Sequence, residues 1–102
     1  MARLFVLDLS YLADLAEVDR LIDAHRDYLA RHYADGTFLA SGRKEPRTGG
    51  VILAQGERAR IEEIVAADPF AVHGACRYEV TEFLPTMTAP ALAELQEPQP
   101  SA

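Results

Sequence analysis

"TFLASGRKEPRTGGVILAQ", residues 37 to 55, is the stretch on which the fold turns. "TFLAS" (37 to 41) and "VILAQ" (51 to 55) are apolar runs of strand length, and "GRKEPRTGG" (42 to 50) between them is dense in turn formers. The segment therefore predicts a long-looped hairpin. Helical patterns flank it on both sides. Upstream, Asp14 precedes Glu17 by the three residues of a capping box, and Leu15, Val18, Leu21, Ile22, Leu29 and Tyr33 follow at helical intervals. "ADG" (34 to 36) closes that helix, with Gly36 suited to a left-handed end. Downstream, Glu57 to Ala67 returns to helical spacing with Ile61, Ile64 and Val65 on one face. Pro69 cannot donate the next hydrogen bond and is expected to stop the pattern.

The outermost runs complete the order. "RLFVLDL" (3 to 9) is apolar and partly β-branched, and in "CRYEVTEF" (76 to 83) Cys76, Tyr78 and Val80 alternate with Arg77, Glu79 and Thr81, as in a half-buried strand. Strand, helix, strand, strand, helix, strand is the split βαβ pattern of a ferredoxin-like α+β fold with one antiparallel sheet. We expect a single domain over residues 1–84. Residues 85–102, with four prolines, predict a docked or frayed arm ending in a disordered tail. Strands 1 and 3 are apolar on both sides: Leu4 and Val6 oppose Phe5 and Leu7, and Ile52 opposes Val51 and Leu53. A strand with one wet face would alternate, so the second face predicts sheet-to-sheet pairing with another copy, a homodimer or a higher homo-oligomer.

Composition bounds the function. Hydrophobic residues make up 49% and charged residues 25% of 102, an ordinary globular balance. Sixteen acidic against ten basic side chains leave a net charge of −6, which argues against nucleic-acid and anionic-membrane partners and favours a small-molecule ligand. Cys76 is the single cysteine, so no internal disulfide forms, and with no signal peptide or long apolar span we expect a cytoplasmic protein. No phosphate-binding glycine loop or helical zinc motif occurs, so neither a metal nor another cofactor is expected.

Two residues stand in unusual places. His25 lies four residues after Leu21 and four before Leu29, on the apolar stripe rather than the charged back of Arg20, Asp23, Asp27 and Arg31. It is either a histidine satisfied by a backbone carbonyl at the core edge or a group that moves a proton. His32 is seven residues on, about 10.5 Å along the axis, too far to share a metal. Asp68 falls at the end of the second helix, where the macrodipole disfavours a carboxylate. It reads as a solvated turn residue or as the group that orients a histidine. Ser41, Gly42 and Arg43 at the end of strand 2, Tyr33, and His73 in "AVHGAC" are candidate substrate contacts, Arg43 as a guanidinium fork for a carboxylate. Each also has a plain structural reading as turn, core edge or loop.

"AHRDYL", "DGTFLASG", "GGVILA" and "ADPF", in this order and spacing, resemble the YCII-related (YciI-like) family, and "EFLPTMTAPAL" is similar to one branch of it. The resemblance implies a ferredoxin-like fold paired as a dimeric α+β barrel, with an active site centred on a His/Asp pair, here His25 and Asp68. It also implies lyase-like or isomerase-like proton transfer on small ring-derived metabolites. Arg43 stands where many relatives carry proline after "SG", and His73 is not a constant of the family, so the resemblance supplies no substrate. A non-catalytic module that holds a small anion in the same pocket, or serves oligomeric assembly, is the alternative.

Overall fold

The computed structural model describes residues 3–97. Strand β1 (Arg3–Tyr11) leads into helix α1 (Leu15–Ala34), the hairpin β2 (Phe38–Arg43) and β3 (Gly49–Gly56), helix α2 (Arg58–Ala66), a single helical turn α3 (Pro69–Val72) and strand β4 (Cys76–Phe83). The sheet order is β2-β3-β1-β4, antiparallel throughout, which is the ferredoxin-like arrangement expected from the element order. No helix among the described residues is long and apolar enough to cross a membrane.

Local chemistry sets these boundaries. The Asp14 carboxylate caps α1 by accepting from the Glu17 backbone N–H at 3.0 Å, while the Glu17 side chain turns instead to Arg20. Gly36 has φ +83°, the left-handed conformation that ends the helix cheaply. The core lies between the two layers: Phe5, Leu7 and Leu9 of β1, with Phe38, Ile52 and Ala54, meet Val18, Leu21 and Tyr28 of α1 and Ile61 and Ile64 of α2. Burying each large apolar side chain stabilises the fold by about 1.5–3 kcal/mol. β3 lies close against β1 at one point, where a Cβ on Gly49 would stand 1.8 Å from the Leu9 carbonyl oxygen. Only glycine fits there.

Two expectations change, and one feature lay outside them. The hairpin loop is shorter than the turn formers suggest, because Gly42 pairs with Val51 and Arg43 with Gly50, leaving residues 44–48 as the loop. A register shift between Phe38 and Ala40 then reverses the facing of the rest of β2. Ala40 pairs with Leu53 on the open side of the sheet, and Ser41 pairs with Ile52 on the helical side. Finally, Pro69 does more than end α2: it opens α3, where its missing N–H costs nothing, and Asp68 is the N-cap. The carboxylate thus sits at a favourable helix start rather than only at an unfavourable helix end.

On the open face of the sheet Leu4 is buried, Val6 and Leu53 are half-buried, and Val51 and Phe83 are 39% and 40% exposed. Beyond β4, Pro85 is buried and its carbonyl accepts from Glu97 N–H at 2.7 Å, closing a loop around a 3-10 helix at Pro90–Leu95 that buries none of its own residues. The end of the 85–102 segment, where a tail is expected, lies outside the described residues.

Candidate active site

Val18, Leu21, His25 and Tyr28 form the buried stripe of α1, so the imidazole is carried into the core edge by helical spacing. There it stacks on Phe70 of α3, with ring centroids 4.0 Å apart and planes 10° from parallel. Its Nδ1 is 2.8 Å from Asp68 Oδ1. A carboxylate can only accept, so Nδ1 carries a proton, and in the neutral ring the lone pair is on Nε2. Nε2 has no protein partner among the described residues.

Asp68 is fully buried. Burying a charge is tolerated only with hydrogen bonds to replace water, and three donors converge here. His25 and the Phe70 backbone N–H, the latter at 3.0 Å, donate to Oδ1, and the Tyr78 hydroxyl donates to Oδ2. Burial, and then the Asp68 charge, push the Tyr78 phenol far above its ordinary range, so it stays protonated as a donor. The same causes push the neighbouring Cys76 thiol up to about 12, which removes it as a nucleophile near neutral pH.

His25 forms part of the wall of a cleft of about 520 Å³ between α1 and the β2–β3 end of the sheet. Ser41, Gly42 and Arg43 line it too, on the side to which the β2 register shift turns Ser41 and Arg43. Of the residues singled out in the sequence, the structure thus brings His25, Ser41, Gly42 and Arg43 together around one space, with Asp68 behind the imidazole. Tyr33 does not line the cleft. Its hydroxyl lies 2.5 Å from Ser41 Oγ and so orients that side chain. His73 is a correction: it is the exposed C-cap of α3, outside the cleft lining, because the short helix carries it past the mouth into solvent.

The sequence reading missed Tyr78, Phe70 and Arg26. Tyr78 had a usable signal, since a phenol on the inward row of a strand needs a hydrogen-bond partner. Asp19 and Arg47 also line the cleft and pair with each other at 2.6 Å, linking α1 to the hairpin loop. Among the described residues no three His, Cys, Asp or Glu side chains are grouped to hold a metal ion.

A ferredoxin-like α+β domain whose first helix and post-α2 turn supply a buried His/Asp pair defines the class of protein. The chain belongs to the YCII-related domain family, whose model matches residues 5–84. Among solved structures, the chain is similar to 5-chloro-2-hydroxyhydroquinone dehydrochlorinase (TftG) from Burkholderia phenoliruptrix AC1100, in complex with 2,5-dihydroxybenzoquinone. The TM-score is 0.69 at 18% identity, over 80% of this chain and 94% of that one, a likeness of fold. No curated protein sequence matches the chain.

Proposed function

We propose that the protein is a small enzyme that moves a proton on a small anionic or ring-derived metabolite, in a lyase-like or isomerase-like step. One observation carries this reading: His25 is gripped at Nδ1 by a buried carboxylate and lines a cleft with its other nitrogen unpartnered. In that tautomer Nε2 takes a proton from a substrate carbon or hydroxyl, Asp68 stabilises the imidazolium that forms, and the proton is returned to a second position or a leaving group. Ser41 and Arg43 hold the polar end of the substrate. The fold neighbour converts a hydroxylated aromatic ring, which supports ring compounds as the class to try first.

The same reading places two copies face to face through Leu4, Val6, Val51, Leu53 and Phe83 as a dimeric barrel. The exposure of Val51 and Phe83 beside half-buried Val6 and Leu53 is what supports the pairing. A monomer mass by light scattering at micromolar concentration would overturn it.

The chemical test is a mass-spectrometric screen of hydroxylated and lactone-type ring acids with wild type and His25→Ala. Product from wild type alone is expected. Ligand binding without turnover in either protein would make the cleft a binding module instead.

A further inference from the structure

Five of the nine arginines pair with carboxylates. Arg3 meets Glu82, Arg20 meets Glu17, Arg58 meets Glu62 and Glu82, and Arg60 meets Glu63. Among the described residues Arg26, Arg31, Arg43 and Arg77 have no such pair, and Arg26 and Arg43 stand apart by position. Both line the cleft, and the side chains of both lack any ion pair or hydrogen bond among the described residues. In a chain with sixteen acids against ten bases, two unmatched guanidinium groups in one cleft constitute a local positive field. Arg47, the third arginine of the lining, is already matched by Asp19.

We propose that Arg26 and Arg43 together form an anion subsite facing His25, and that the ligand is a small ring compound carrying a single negative charge at rest. This rests on the reading of His25 as a base. The walls favour a ring: Leu9, Ile22, Leu29, Ile52 and Phe70 supply apolar surface beside about 520 Å³, ample room for a small ring and its polar substituents. The charge count sets the rest. Asp19 and Arg47 neutralise each other and leave two positive charges in the cleft, and the Phe70 N–H at the start of α3, a ready phosphate donor elsewhere, is already taken by Asp68. When Nε2 removes a proton, the electron pair stays on the substrate, which passes from one negative charge to two while His25 becomes cationic. Two guanidinium groups then match what one would leave half-neutralised: the first holds the resting carboxylate, the second the oxyanion that develops on the ring. Ser41, held by Tyr33, serves a neutral ring oxygen.

Calorimetric titration of the full chain with benzoate, its neutral isostere benzamide, and phenyl phosphate tests this without needing the true substrate. Benzoate should bind wild type, with benzamide weaker by about tenfold or more and phenyl phosphate no tighter than benzoate. Arg26→Gln and Arg43→Gln should each weaken benzoate by about tenfold, less so at high salt, while Arg31→Gln, which changes the same charge outside the cleft, should stay within about twofold. The proposal fails if wild type binds no benzoate at millimolar concentration, if benzamide binds equally well, if either arginine variant retains wild-type affinity, if Arg31→Gln loses as much, or if phenyl phosphate is preferred. Loss of benzoate binding in both arginine variants, combined with an empty turnover screen, would leave the subsite standing and remove the enzymatic reading.

Discussion

Helix α1 carries two histidines seven residues apart, each with Nδ1 against a carboxylate, at 2.8 Å for His25 and Asp68 and at 3.0 Å for His32 and Asp35. The contacts are nearly identical and the settings are not. Asp68 comes from 43 residues away and is fully buried, whereas Asp35 is three residues away and its side chain is 41% exposed. Asp68 is held by donors from three elements; Asp35 accepts, besides His32, the Thr37 backbone N–H at the end of the same helix. The His25 ring borders the cleft, and the His32 ring packs against Tyr28 and Phe38, with centroids 5.1 and 5.2 Å away. A histidine in the last turn of a helix complements its dipole, and that accounts for His32. The hydrogen bond alone therefore does not tell the two histidines apart. Burial of the acid and an unpartnered nitrogen beside a cavity do.

Four measurements press on that contrast. The largest difference should appear in turnover: His25→Ala should lower kcat/KM on any ring acid found by the screen by about a hundredfold or more, and His32→Ala by less than about twofold. Equal losses would erase the distinction. Next comes stability in urea. Asp68→Ala strands three donors in the core and should cost about 3 kcal/mol, while Asp35→Ala, at the surface, should cost under about 1 kcal/mol.

Tyr78→Phe removes a single donor from Asp68 and should cost about 1 kcal/mol. In nitrogen NMR it should blur the His25 tautomer, protonated at Nδ1 in wild type, and leave the His32 signals in place. The smallest effect is acid-linked. The Thr37 side chain chiefly, with its backbone N–H and His32 assisting, outweighs the burial penalty and holds the Asp35 carboxyl below its ordinary 3.8. A depressed carboxylate contributes stability that is complete above the unfolded value and is lost as pH falls through the folded one. Asp35→Asn should therefore flatten the stability curve slightly below about pH 4, as read by thermal melts across pH 2 to 6.

Much of this was legible in the chain because periodicity reports burial directly. Helical spacing put His25 on the apolar stripe, and a carboxylate at the end of a helix before Pro69 signalled that Asp68 needed a partner. The order of strands and helices followed from two hairpin strands between two amphipathic stretches. What stayed hidden depends on contacts between distant segments. The register shift in β2 arises from its pairing with β3, and without it Ser41 and Arg43 would face away from the helices. α3 is four residues long, too short to show a period. Tyr78 finds its acceptor in another element, and Arg26 looks like any solvated helix arginine until the cleft beside it is seen.

Asp68 follows one helix, starts the next and stations the imidazole, so a single side chain is a joint of the scaffold and, on the proposed function, a part of the working machinery. A lineage that lost it would on that reading weaken its shape along with its chemistry, whereas Ser41, Arg26 and Arg43 can change without disturbing that joint. Novelty in what such a protein accepts must accordingly accumulate around the exposed rim, with the core pairing inherited unaltered.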